Sequence, residues 1–240
     1  MEKVAALIFA GGVGRRMNSR SRPKQFLELY GKPVIIHTLE HFEYHDAVDD
    51  IAVVCVKSWI EELKGMLRRF GIKKVSLIVP GGATGHDSIH DGLTAMRDTM
   101  EAQDIVLIHD GVRPLINDKL ITGNIAAVRK YGSAITCERA RESVVVCRDG
   151  EHIEAVPRRD DMYVAKAPQS FRYGDILSLY ERARRDGVKS IDSAHLCNIY
   201  RAPMHLITSP RNNIKITEPA DYYIYRALYQ AMEEQQIYGI

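Results

Sequence analysis

LIFAGGVGRRMNSRSRPKQF, residues 7–26, begins as an apolar strand, breaks at a glycine-rich turn and continues into a run of cations. Gly11, Gly12 and Gly14 lack a Cβ, so the backbone there can bend tightly and turn several N–H groups onto one anion. Arg15, Arg16, Arg20, Arg22 and Lys24 place positive charge beside that turn. A strand delivering such a loop describes a phosphate cradle at the edge of a sheet. Two commoner phosphate motifs fit poorly. No G-x-x-x-x-G-K-[ST] string is present, and Met17 stands where a dinucleotide fingerprint requires its third glycine. Arginine and lysine together on a triphosphate point to stabilisation of charge spread over phosphate oxygens.

Working outward, short apolar runs alternate with helical patterns. Val4 to Phe9, Ile51 to Val56, Val75 to Val79 and Ile105 to Ile108 read as strands. Pro33 to Phe42, Trp59 to Phe70 and Asp87 to Met100 carry apolar residues at spacings of three and four. Such alternation predicts an α/β fold, a mostly parallel sheet with helices on both faces. After Ile135 the pattern changes. Glu142 to Cys147 and His152 to Val156 flank Arg148-Asp149-Gly150-Glu151, and Asp-Gly between β-rich runs signals a hairpin. A ribbon inserted late in such a domain needs cover, and a partner subunit is the expected one. A helix at Gly174 to Arg185, a strand at His205 to Thr208, a strand-like Asn213 to Thr217 and a closing helix from Pro219 to about Glu234 complete the chain.

The 240 residues are 45% hydrophobic, ample for one domain, 1–240, with an excursion at 139–160. The formal charge of +2 argues against a general nucleic-acid or membrane surface, so the positive charge is local. Cys55, Cys137, Cys147 and Cys197 form no C-x-x-C pair and read as reduced thiols. Met1-Glu2-Lys3 leads directly into a strand, and no stretch approaches the ~20 apolar residues of a membrane span, so a cytoplasmic enzyme is expected.

In open α/β sheets ligands bind at the carboxyl ends of the strands. The first strand ends in the glycine-rich loop. The third ends in Pro80-Gly81-Gly82-Ala83-Thr84-Gly85-His86-Asp87-Ser88, whose glycines let backbone groups read a base edge. The fourth ends in His109-Asp110-Gly111-Val112-Arg113-Pro114. An aspartate there, facing a triphosphate, suits Mg²⁺, which prefers carboxylate and phosphate oxygens. Arg113 can pair with a phosphate or with Asp110. Lys215 interrupts the apolar Asn213 to Thr217 and adds a phosphate contact if it lies near the sheet's carboxyl edge.

Taken together, Ala10-Gly11-Gly12-x-Gly14-x-Arg16-Met17 with Pro23-Lys24-Gln25, Gly81-Gly82…Ser88, His109-Asp110-x-x-Arg113-Pro114, Pro168-Gln169-x-Phe171 and Asn213-Ile214-Lys215-Ile216-Thr217 resemble the cytidylyltransferases. That family includes 2-C-methylerythritol 4-phosphate cytidylyltransferase and ribitol-5-phosphate enzymes. The resemblance runs from about Val4 to Asp221. It implies a Rossmann-like nucleotidyltransferase domain that joins CTP to a sugar-alcohol phosphate and releases pyrophosphate. Arg16, Lys24 and Lys215 match the family's cations on the triphosphate. Asp110 matches its Mg²⁺ ligand, and Ala10, Gly11, Gly12, Gly14, Gly82 and Ser88 match its nucleotide contacts. Arg113, Ser143 and Arg159 match acceptor-binding positions, the last two reaching the other subunit of a homodimer from the hairpin arm.

The chain departs from the family pattern at the acceptor. Ala167 and Ile191 stand where many members have threonine, and Gly85 replaces an arginine before Ser88. Val156 to Tyr163, with Pro168-Gln169-Ser170-Phe171, looks more like the ribitol-phosphate branch than the isoprenoid branch. Ribitol 5-phosphate or a related polyol phosphate is therefore the expected acceptor. Methylerythritol phosphate is the alternative, and a non-catalytic nucleotide-binding module a further one.

Overall fold

A computed structural model describes residues 2–12 and 22–238, with side chains as far as Glu234. The apolar run at the start of the chain forms β1 (Val4–Ala10), and a 3-10 turn (Lys24–Phe26) leads to a small ribbon, β2 (Glu28–Leu29) and β3 (Lys32–Pro33). There follow α1 (Val34–Glu43), β4 (Asp50–Cys55), α2 (Ile60–Phe70), β5 (Val75–Pro80), α3 (Gly85–Ala95) and β6 (Ile105–Asp110). Next come α4 (Asp118–Tyr131), β7 (Ser133–Arg139), β8 (Tyr163–Arg172) and α5 (Tyr173–Asp186). The last elements are α6 (Ser193–Ile199), β9 (Leu206–Thr208) and α7 (Pro219–Tyr238).

Seven strands form one sheet in the order β5-β4-β1-β6-β8-β7-β9. β8 alone runs antiparallel to its neighbours β6 and β7, and the remaining pairs are parallel. β1 lies buried in the centre, and its side chains alternate between the two faces as the pleat requires. Val4, Ala6 and Ile8 pack with α1, α2 and α4, and Ala5 and Leu7 pack with α3, α5 and α6. Burying a Leu or Ile side chain of this kind contributes about 1.5–3 kcal/mol. A third cluster seats α7 through Tyr225 on Leu29, Val34, Val112 and Ile216. The carboxyl ends of β1, β4, β5 and β6 therefore open on one edge of the sheet.

Two sequence expectations need correction. Asn213 to Thr217 is not a strand but an irregular connection. Among the described residues its ladder-like tie is the Ile216 N–H to the Val112 carbonyl, 3.0 Å, and the buried Asn213 side chain is committed to Ala167 and Ser209 instead. The hairpin over residues 140–162 has a single antiparallel bridge, Val146 with Ala155, and is otherwise irregular and exposed. Its Asp-Gly turn is present: Gly150 has φ +83°, and Asp149 Oδ1 accepts from the N–H groups of Glu151 and His152. With both faces in water, none of the described residues supports longer pairing. Cys55, Cys137 and Cys197 are buried free thiols, and Cys147 is an exposed one.

Candidate active site

The loops at the carboxyl edge enclose a cavity of about 660 Å³. Its walls come from Ala10, Gly11 and Gly12 after β1, from Gly82 to Gly85 and Ser88 at the start of α3, and from Lys24, Asp110, Lys215 and Thr217. A smaller cavity of about 200 Å³ adjoins it, lined by Arg113, Lys166, Ala167, Gln169, Ile191 and Asp192 among others. Phe9, Gly85, Asp110 and Lys215 line both. Two compartments thus meet at one carboxylate and one ammonium.

Close backbone approach builds the larger compartment. A Cβ on Gly81 would stand 2.9 Å from the Cα of Gly11, so the loops after β1 and β5 pack main chain against main chain. Both positions need glycine for that contact. Gln25 fixes the first loop from the other side: its buried amide Nε2 donates to the carbonyls of Ala10 at 2.6 Å and Gly12 at 3.2 Å. Thr84 caps α3 by accepting from the Asp87 N–H, 3.1 Å. Ser88 Oγ donates to the Thr84 carbonyl at 2.8 Å, which leaves its oxygen lone pairs for an acceptor role toward the cavity.

The turn after β6 is the electrostatic centre. Asp110 is 5% exposed and stands between two cations: Arg113 Nε donates to Oδ2 at 2.8 Å, and Lys215 Nζ lies 2.5 Å from Oδ1. Burial alone would raise the Asp110 pKa, but the charges of Lys215 and Arg113 and their hydrogen bonds outweigh it and hold the carboxyl well below the ordinary range. Arg113 is braced in turn by the Asn213 carbonyl, 3.2 Å from its Nη1. His109 is fully buried and contacts the Arg113 carbonyl through Nε2 at 3.1 Å; burial pushes its pKa down to about 4, so the ring is neutral and structural.

The structure brings together Lys24, Lys215, Asp110, Ala10, Gly11, Gly12, Gly82 and Ser88 around the larger cavity and places Arg113 in the smaller one. Gly14, Arg16, Arg15 and Arg20 lie outside the described residues. Arg22 pairs with Glu28, 2.8 Å, and is not among the residues that line either cavity. Ser143 and Arg159 sit exposed on the arm and line neither cavity of their own chain. Gly85 faces both compartments with open space where a side chain would project.

Of the smaller cavity's wall, sequence reading marks Gly85, Arg113, Ala167, Gln169 and Ile191 and misses Lys166 and Asp192. Asp192 caps α6 by accepting from the His195 N–H at 2.7 Å, and Gln169 ties it to β8 through Nε2 at 3.2 Å. Lys166 pairs with Glu138 beside it. Gln169 belongs to the Pro168-Gln169-x-Phe171 string, which was the available signal for this wall. Gln25 was likewise marked by its tripeptide, without a role.

Among the described residues no group of three His, Cys, Asp or Glu side chains is arranged to hold a metal. Asp110 is the one carboxylate among the described residues that line the larger cavity. A lone carboxylate beside a polyanion site fits Mg²⁺, which takes one or two carboxylates and completes its shell with phosphate oxygens and water. It does not fit a dedicated protein cage.

A family model, IspD, 2-C-methyl-D-erythritol 4-phosphate cytidylyltransferase, matches residues 4–230. A ribitol-5-phosphate cytidylyltransferase of Streptococcus agalactiae serotype Ia is 47% identical over 235 residues, 98% of each chain. A 2-C-methyl-D-erythritol 4-phosphate cytidylyltransferase of Clostridium botulinum is 34% identical over 221 residues, 92% of this chain and 95% of that one. Among solved structures, 4-diphosphocytidyl-2C-methyl-D-erythritol synthase from Anaerococcus prevotii superposes with a TM-score of 0.82 at 27% identity, covering 95% of this chain and 96% of that one.

Proposed function

We propose, because the chain belongs to the IspD family of cytidylyltransferases, that it transfers CMP from CTP to ribitol 5-phosphate, giving CDP-ribitol and pyrophosphate. The observation that carries this reading is the pair of cavities meeting at Asp110 and Lys215. The larger suits a nucleoside triphosphate, with a glycine-lined base end and a cationic end. The smaller suits an acceptor with a phosphate near Lys215 and Arg113 and hydroxyls near Asp192.

An oxygen of the acceptor phosphate attacks the α-phosphorus of CTP. That P–O bond forms as the bond to the β-phosphate oxygen breaks, and pyrophosphate leaves with the electron pair. No general base is needed, since a phosphate monoester with a second pKa near ~6 is already largely dianionic at neutral pH. Lys24 and Lys215 neutralise the mutual repulsion of the two polyanions and hold them in line. Asp110, together with the triphosphate oxygens, would hold Mg²⁺, which would draw charge from the phosphate oxygens. Arg113 keeps the Asp110 carboxylate ionised and aimed at the junction.

The identity to a ribitol-5-phosphate enzyme favours ribitol 5-phosphate. Methylerythritol phosphate is the second reading. One side of the smaller cavity is apolar, with Ile89, Ile108, Ala165, Ala167 and Ile191, and would accept a methyl branch. A non-catalytic module is not retained, because the relatives are enzymes and the described cations converge on one site. The assay that tests the proposal is formation of pyrophosphate and CDP-ribitol, one for one, from CTP and ribitol 5-phosphate with Mg²⁺. Absence of product contradicts it.

A homodimer through the arm, in the cytoplasm where CTP is available, belongs to the same proposal. Val144, Val145, Ile153 and Val156 on the arm and Tyr163 and Val164 at its base are exposed, and a second copy is the occupant that brings Ser143 and Arg159 to an acceptor site. Sedimentation of the full chain is expected to give a dimer, and Val145→Asp with Ile153→Asp a monomer with reduced turnover. A fully active wild-type monomer would remove the second copy from the account.

A further inference from the structure

Three consecutive residues of β8, Ala165, Lys166 and Ala167, line the smaller cavity. A regular strand turns successive side chains to opposite faces and offers a cavity only every second one. The register accounts for the difference. Ile135 of β7 stands opposite Gln169 and Cys137 opposite Ala165, so Thr136 alone faces Lys166, Ala167 and Pro168. A bulge of this kind re-aims the side chains it carries. Glu138 of β7 then holds the lysine: Lys166 Nζ donates to Oε2, and Arg141 Nη2 donates to Oε1 at 2.5 Å. The Lys166 side chain is 12% exposed, so bulk water takes little of its hydrogen-bonding capacity.

An ammonium carries three donors, and Glu138 is the partner of Lys166 among the described residues. Neighbouring polar side chains of the cavity are committed. Gln169 donates to Asp192 and accepts from the Ala194 N–H at 2.9 Å, Ser193 Oγ bonds the Tyr180 hydroxyl at 3.0 Å, and Arg113 holds Asp110. Ala167 and Ile191 bring no polar side-chain atom. The sheet order β1-β6-β8-β7 puts Phe9 and Asp110 of the junction on β1 and β6, and Lys166 one strand further from the larger cavity. An acceptor whose phosphate reacts at the junction therefore runs its chain over β8 toward that ammonium.

We propose that Lys166 is a specificity-determining residue of the transfer reaction: its ammonium, aimed by the bulge and held by Glu138, donates to chain hydroxyls of the acceptor and selects polyol phosphates over phosphates with apolar chains. The proposal rests on the cytidylyl-transfer reading. A structural role alone would make the Lys166–Glu138 pair a tie between β8 and β7, with no preference among acceptors.

Lys166→Met keeps the aliphatic stem and removes the ammonium, and Glu138 keeps Arg141 as its partner. The variant is expected to lose about thirtyfold in kcat/KM for ribitol 5-phosphate, mostly through KM, the scale of losing hydrogen bonds from a charged donor. CTP affinity should stay within about twofold of the parent, which also reports that the variant is folded. Pentyl phosphate, with the same carbon chain and no hydroxyl, should bind variant and parent alike, because it never used the ammonium. Binding calorimetry of both phosphates, on protein saturated with an α,β-methylene analogue of CTP that cannot be cleaved at the reacting bond, reads this selection without turnover. If the parent binds ribitol 5-phosphate but transfers no CMP to it, the functional reading fails while the affinities of the variant still decide this proposal. Unchanged affinity for ribitol 5-phosphate in Lys166→Met, equal fractional losses for the two phosphates, a CTP loss of the same size, or a parent that does not bind ribitol 5-phosphate overturns it.

Discussion

Lys24→Ala is expected to lower kcat by about two to three orders of magnitude and to leave the fold intact. Lys24 opens the 3-10 turn that faces the glycine loop and lines the larger cavity. The turn does not depend on its ammonium for position. Gln25, 1% exposed, is tied to the Ala10 and Gly12 carbonyls, and the buried Phe26 ring stacks on Trp59 with centroids 4.6 Å apart. The loss should therefore be chemical. A cation placed where charge develops on phosphate oxygens acts more strongly in the transition state than in the bound triphosphate. Steady-state kinetics should show kcat falling more than KM for CTP rises, with KM for the acceptor little changed and Tm within a few degrees of the parent. Turnover within threefold of the parent would remove Lys24 from the mechanism.

Lys215→Ala should cost a comparable factor of about 10²–10³ in kcat but with a different signature. Lys215 lines both compartments, so the apparent affinities for CTP and acceptor should weaken together. Its removal also leaves Asp110 with Arg113 as the cation bonded to it in the described structure. The Lys215 side chain is 38% exposed, so solvent screens the pair, and the stability loss at neutral pH should be nearer 1 kcal/mol than the larger penalty of a fully buried pair. The sign with pH follows from a depressed carboxyl. The stabilisation is present above the ordinary carboxylate pKa of 3.8 and is lost as pH falls through the depressed value. Urea unfolding should thus separate parent and variant fully at pH 7, and the gap should close in strong acid. A gap that widens in acid, or a variant with parental kinetics, contradicts the assignment.

The parallel core was legible because each of its strands is a short apolar run ending in a turn. Val4 to Phe9 and Ile105 to Ile108 needed only small extensions to become β1 and β6. β8 was not legible. Its sequence, YVAKAPQSFR, mixes polar and apolar residues and carries Pro168 inside a central strand, where a missing N–H normally excludes proline. The sheet accommodates it at a register shift between Ile135 and Cys137 of β7. That is a tertiary solution with no local signature. The same gap hid Lys166 and Asp192 of the smaller cavity, which come from β8 and from the cap of a seven-residue helix, while Gln169 was marked by its string. The larger cavity was legible, since Asp110, Gly82 and Ser88 stand at strand ends or at a helix start where ligands collect. Lys215 was found for its charge but assigned to a strand. Asn213, by binding the Ala167 carbonyl with its side chain, takes the segment out of the sheet and still delivers the lysine to Asp110.

The two abutting cavities are proposed to join a cytidine triphosphate to a polyol phosphate, with ribitol 5-phosphate preferred. The most direct measurement is kcat/KM for pyrophosphate release from CTP and Mg²⁺ with ribitol 5-phosphate, methylerythritol 4-phosphate, glycerol phosphates and other pentitol and tetritol phosphates side by side. The highest value is expected for ribitol 5-phosphate, by at least about tenfold over methylerythritol phosphate, a difference of ~1.4 kcal/mol in transition-state binding. A preference for methylerythritol phosphate, or turnover with none of them, contradicts it.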